Sequence, residues 1–243
     1  MTLKQLPILA SVLLVTVKCG DQPNIVLIVA DDLGWADVPW HDHSVPAPNI
    51  HHLAHTGLIL NQSYVQQVCT PSRAALLTGM YPYHLGRQHR ALKPLRAGGI
   101  PTNFTLLPQL LKQQGYSTHM IGKWHLGYCS WDYTPTRRGF DTFYGTYLGV
   151  LDHWTHTRDK YDGYDFRRDE DVVYNASGVY STHLYTEEAV SLIQSHQNTS
   201  VCDVFRTLSP TPLSDHPSLS LVAPSAMNTL FIDLTSSFSV TFS

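Results

Sequence analysis

Six side chains in three short segments could perform chemistry. Cys69 and Arg73 lie four residues apart in Cys69-Thr70-Pro71-Ser72-Arg73-Ala74-Ala75-Leu76-Leu77-Thr78-Gly79, so a helix stacks them on one face of its first turn. Pro71 suits that first turn, Ala-Ala-Leu-Leu carries the helix forward, and Gly79 suits the position just past its end. A helix N-terminus has unpaired N–H groups and a partial positive charge, to which the guanidinium adds a full one. Such a site suits an anion held against residue 69. Asp31 and Asp32 are adjacent carboxylates whose mutual repulsion a cation would relieve, and oxygen ligands select a hard ion such as Ca²⁺ or Mg²⁺. Lys123 and His125 flank Trp124, and an extended chain sends both to one side. There an ammonium and an imidazole can hold a tetrahedral oxyanion and steer a proton. Each segment also has a plainer reading: half of a disulfide for Cys69, a solvated turn for the aspartates, ordinary surface groups for Lys123 and His125.

The surrounding pattern is that of an α/β fold. Asn24 to Ala30 is an apolar, β-branched run fitting a strand buried on both faces of a parallel sheet. It delivers Asp31 and Asp32 to the C-terminal edge, where open α/β sheets place ligands. A helix is expected from Pro48, with Asn49 as its N-cap and Gly57 as its stop, followed by a strand over Leu58 to Val65 leading to Cys69. Thr105 to Gly115 predicts a helix capped by Thr105 with a stripe of Leu106, Leu107, Leu110 and Leu111. Tyr116 to Ile121 then predicts a strand that ends at Gly122-Lys123-Trp124-His125-Leu126-Gly127. Asp152 to Arg168 reads as a polar, aromatic loop on the substrate side. Ser181 to His196 reads as a helix, with Ser181 or Thr182 as cap and Glu187 and Glu188 early in it. Arg87, Arg90, Lys93 and Arg96 form a basic loop without matching acids, either solvated or in contact with a sulfated polysaccharide.

With 243 residues, 43% of them apolar, the chain can bury a real core, and its net charge of −3 gives no case for nucleic acid as a partner. Residues 1–20 read as a secretory signal peptide: Lys4 precedes the apolar core Ile8 to Val17, and small residues follow. That core is too short for a bilayer span, so no membrane span is expected after cleavage. Sequons at Asn61, Asn103, Asn175 and Asn198 agree with the secretory route and a lysosomal or extracellular destination. Cys129 and Cys202 remain for pairing, which spacing does not establish. From about residue 203 to 243 the texture changes to a low-charge tail rich in Ser, Thr, Pro and Leu, so residues 21–202 are taken as the core unit.

Cys-x-Pro-x-Arg followed by Ala-Ala-Leu-Leu-Thr-Gly closely resembles the sulfatase motif. Gly-Lys-Trp-His-Leu-Gly resembles the second motif of that family, and the apolar strand ending in Ala-Asp-Asp its metal-binding turn. Pro135-Thr136-Arg137-Arg138-Gly139-Phe140-Asp141 is similar to arylsulfatase B-like chains. The resemblance implies an alkaline-phosphatase/sulfatase-like α/β fold, a mostly parallel sheet flanked by helices. It also implies conversion of Cys69 to Cα-formylglycine by the formylglycine-generating enzyme, and one Ca²⁺ at Asp31, Asp32 and residue 69. The hydrated aldehyde would attack the sulfur of a sulfate ester, perform the alcohol's displacement, and then expel sulfate as the aldehyde re-forms. Arg73 would hold residue 69, Lys123 the sulfate, and His125 the diol. The implied substrate is a sulfate ester, with N-acetylgalactosamine 4-sulfate in a glycosaminoglycan as the specific expectation. The tail does not resemble the family, and neither a second active-site His nor an Asp-Asn pair follows. A truncated, marginally folding and non-catalytic fragment that binds substrate or the maturation enzyme is therefore the alternative. A phosphatase or phosphodiesterase of the same superfamily is a third reading, opposed by a Cys where those relatives carry Ser or Thr.

Overall fold

The computed structural model describes residues 24–158, 163–197 and 229–234. Its centre is a mixed sheet with strand order β2-β3-β6-β7, in which β2 is His119–Lys123, β3 is Thr142–Thr146, β6 is Arg167–Arg168 and β7 is Asp171–Val172. β2 and β3 run parallel with Gly122 opposite Gly145, and the remaining pairs are antiparallel. A parallel pair needs a crossover. Here two 3₁₀ turns, Trp131–Tyr133 and Pro135–Arg138, supply part of it. A Cβ on Gly145 would lie 2.0 Å from the Gly122 carbonyl oxygen, so the two backbones meet at a distance only glycine permits.

β3 is buried on both faces because its side chains alternate between two cores. Phe143 packs with Trp124, Leu126, Leu106 and Ala74 on the side of α2 (Cys69–Thr78) and α3 (Leu107–Gln113). Tyr144 packs with Phe166 and Ala176, over which α4 (Ser181–Gln197) lays Leu184 and Tyr185. Helices thus cover both faces, as an α/β fold requires. A separate short hairpin joins β4 (Thr157–Arg158) to β5 (Gly163–Tyr164).

Several local expectations need correction. β1 (Asn24–Val29) is a strand, but its described partner is β8 (Thr229–Leu234), antiparallel, and Ile25 and Ile28 are 47% and 46% exposed. An apolar run reports a strand's length, not which chains flank it, and here β8 covers an edge rather than a face. α1 (Pro48–Thr56) begins with Pro48 at its first position after Ala47, so Asn49 lies inside the helix rather than capping it. Gly57 closes it as expected, its N–H on the Leu53 carbonyl. Leu58 to Val65 forms no ladder strand. α3 starts after Leu106, not after Thr105, because the Gln109 side chain accepts the Leu106 N–H at 2.8 Å and sets the boundary. The strand read as Tyr116 to Ile121 is shifted and carries Lys123 at its end.

Candidate active site

α2 begins at Cys69 after an extended Val68, with no side chain capping its N-terminus, and ends at left-handed Gly79. Ser72 donates its hydroxyl to the Gln66 and Val68 carbonyls, both at 2.9 Å, which fixes the chain as it enters the helix. Residue 69 therefore sits half-buried on the positive end of a helix.

β2 brings the second segment to this point. After Lys123 the chain stays alongside β3, with the Trp124 N–H on Thr146 and the His125 N–H on Tyr147. His125 then takes a left-handed backbone, φ 58°, so Lys123 and His125 do not share a side through simple strand alternation. The turn delivers His125 to residue 69 instead, with Cys69 Sγ 3.0 Å from His125 Nδ1. The other ring nitrogen, Nε2, lies 2.8 Å from the Leu92 carbonyl. A carbonyl only accepts, so Nε2 carries the proton and Nδ1 offers a lone pair to residue 69. The ring is 5% exposed, and burial lowers its pKa to about 4 despite the Leu92 bond, with Lys123 and Arg73 adding repulsion. His125 is thus a neutral, pre-oriented proton acceptor at pH 7.

Arg73 reaches across and donates Nη1 to the Lys123 carbonyl at 2.5 Å, which ties α2 to the end of β2. Burial lowers its pKa, while Asp31 and Cys69 oppose that shift. Lys123 Nζ, at the end of β2, pairs with Asp31 Oδ2, just past the end of β1. Asp32 follows in a left-handed conformation, φ 58°, and is exposed. All three sequence segments therefore converge through named contacts, save that Asp32 takes no part in them.

Three further residues build the site, Thr70 at an unspecified position of the Cys-x-Pro-x-Arg motif and Leu92 and Gly149 outside any motif. Thr70 donates its hydroxyl to the His125 carbonyl and accepts the Leu92 N–H, each at 3.0 Å. Leu92 thus contacts both His125 and Thr70 through its backbone. Gly149 faces the imidazole so closely that a Cβ there would lie 2.1 Å from His125 Cε1. Backbone partners and a missing side chain leave no residue-type signature to read.

Among the described residues no three His, Cys, Asp or Glu side chains converge as a metal cluster. The donor chemistry of Asp31 and Asp32 nevertheless fits a hard cation, and the ammonium held against Asp31 is a positive charge in that position. Asn61 and Asn103 are exposed in turns and Asn175 in the short 3₁₀ helix Tyr174–Ala176, and Asn198, Cys19, Cys202 and the signal-peptide segment lie outside the described residues. Cys129 is exposed and accepts the Gly98 N–H at 3.0 Å. Among the described residues His156 is also buried; it stacks on Phe166 at 4.4 Å, on the α4 side of the sheet.

Residues 23–208 match the family model described as Sulfatase. The chain belongs to the sulfatase family. Arylsulfatase J of Mus musculus is 41% identical to it over 182 residues, which are 73% of this chain and 30% of that protein. N-acetylgalactosamine-6-sulfatase of Rattus norvegicus is 38% identical over 150 residues, 58% of this chain and 28% of that protein. The chain thus spans under a third of the length of these two sulfatases. Among solved structures, i-CgsB in complex with a neocarrahexaose superposes with a TM-score of 0.63 at 30% identity, over 71% of this chain and 41% of that one. The sulfatase fold is therefore common to the family match, the superposition and the helix-flanked sheet.

Proposed function

We propose that the chain is the N-terminal part of an arylsulfatase-type sulfuric ester hydrolase in which residue 69 works as Cα-formylglycine. The observation that carries this reading is the contact of Cys69 with a neutral, buried His125 at the uncapped N-terminus of α2. When formed, the aldehyde supplies as its hydrate an oxygen nucleophile that a thiol does not. The chain's own groups do the rest. His125 Nδ1 accepts the proton of the residue-69 side chain, and the Leu92 carbonyl holds the ring in that tautomer. The α2 N-terminus and Lys123 offer positive charge to the sulfate, and Arg73 holds α2 against β2. Asp31, Asp32 and residue 69 would hold Ca²⁺, whose charge would offset that of the sulfate oxygens.

The substrate we propose is a sulfated glycosaminoglycan carrying N-acetylgalactosamine 4-sulfate, the arylsulfatase B-like specificity. The relatives named arylsulfatase and N-acetylgalactosamine-6-sulfatase support the ester and sugar class. The formylglycine-generating enzyme would be the maturation partner, residues 21–202 the sulfatase unit, and the secretory pathway to lysosome or exterior the location. No helix among the described residues is long and apolar enough to cross a membrane.

Expression in a secretory host, with a chromogenic aryl sulfate as substrate, tests the reading beside Cys69→Ala. We expect turnover that Cys69→Ala abolishes and a residue-69 peptide mass corresponding to the aldehyde. Equal rates for the two proteins would return the chain to the non-catalytic reading.

A further inference from the structure

From residue 43 to residue 131 the sequence contains no Asp or Glu, yet it carries Arg73, Arg87, Arg90, Lys93, Arg96, Lys112 and Lys123. In a chain of net charge −3 this is a concentrated positive region. Four of these cations, Arg87, Arg90, Lys93 and Arg96, line one cavity of about 210 Å³ together with Leu92. Arg87 is fixed there, donating Nε and Nη2 to the Gly99 carbonyl at 2.9 and 2.5 Å. Arg90, Lys93 and Arg96 are exposed, and among the described residues none of the three has an acidic partner. Like charges gathered around a concavity repel one another until an anion enters, and a cleft concentrates their field.

The loop is also anchored to the active site. Leu92, in the middle of the basic run, accepts from His125 Nε2 and donates to Thr70. The Leu95 N–H bonds the Tyr128 hydroxyl at 2.9 Å, and the Gly98 N–H bonds Cys129. One imidazole ring therefore separates residue 69 from the backbone that carries the cavity.

We propose that this cavity is a second anion subsite, which binds a further sulfate or carboxylate on the same glycan whose sulfate ester is presented to residue 69. This rests on the sulfatase reading above and sharpens it: the preferred substrate is a polyanionic oligosaccharide rather than an isolated monosulfate. Arg90, Lys93 and Arg96 supply charge at the rim, where each contact is worth little alone and the three act together.

The test replaces the three exposed cations at once, Arg90→Gln, Lys93→Gln and Arg96→Gln, in the full secreted chain, with thermal unfolding to verify the fold. KM for a disulfated chondroitin tetrasaccharide should rise about tenfold, while kcat/KM for a monosulfated aryl substrate stays within about twofold. A tetrasaccharide with one sulfate and its uronate carboxylates separates the two anion classes: an equal rise assigns the cavity to carboxylate, and a smaller one to sulfate. An unchanged KM for the disulfated substrate, or equal losses on both substrates, would overturn the proposal. Should the wild-type chain show no turnover, equilibrium binding of the labelled disulfated tetrasaccharide to it and to the triple variant decides separately. About tenfold weaker binding supports the subsite, and equal binding rejects it.

Discussion

At the scale of single residues, the site depends on how one ring is held. Cys69, Arg73, Lys123 and His125 were legible because their types and spacing fit anion chemistry. The groups that orient His125 were not, because Leu92 acts through its backbone and Gly149 through having no side chain. Gly149→Ala tests that arrangement. The added methyl would meet His125 Cε1 at 2.1 Å, and the ring is too buried to swing aside. We expect aryl sulfatase kcat to fall about 100-fold, as for a catalytic group displaced by roughly 1 Å. Circular dichroism should remain that of the parent. Undiminished kcat would show that the ring does not work from this position.

At the scale of elements, helix and strand identities were easier to read than their ends and neighbours. The stop at Gly79 followed from glycine's access to the left-handed conformation, which the residue adopts at φ 67°. The cap of α1 and the start of α3 did not follow, because Pro48 and the Gln109 side chain compete with the nearest polar cap. The docking of α4 rests partly on Arg168 of β6, which grips Glu188 through two bonds of 2.7 and 2.6 Å and lies over the Tyr144 ring. The bond to Arg168 lowers the Glu188 pKa. A lowered carboxylate pKa stabilises the fold above the unfolded value and loses that contribution as pH falls through the folded value. Glu188→Gln should therefore cost up to about 1 kcal/mol at pH 7, the pair being partly exposed. The difference from the parent should shrink below the ordinary glutamate value of 4.5 and vanish at lower pH. Denaturant melts across that range give the answer, and a pH-independent difference would remove the ion pair from the explanation.

At the scale of the whole molecule, β3 joins two cores while β1 lies in a separate ribbon with exposed Ile25 and Ile28. Exposed apolar strand residues are an aggregation liability. Ile25→Thr with Ile28→Thr should lower light scattering on heating severalfold, with stability changed by less than about 1 kcal/mol, as is usual for surface substitutions. Unchanged scattering would place the liability elsewhere.

The sequence by itself determined the family, the candidate site residues Asp31, Cys69, Arg73, Lys123 and His125, and the presence of β1, β2 and the four helices. Those properties reside in residue type and short spacing, where one helix turn or one strand edge is enough to define the geometry. Only the tertiary structure decided that β1 pairs with β8, that a left-handed turn carries His125 to Cys69, and that Leu92 places a basic cavity beside that ring. Each depends on contacts between segments distant along the chain, and such contacts are set by packing and backbone hydrogen bonds that leave no pattern in residue type.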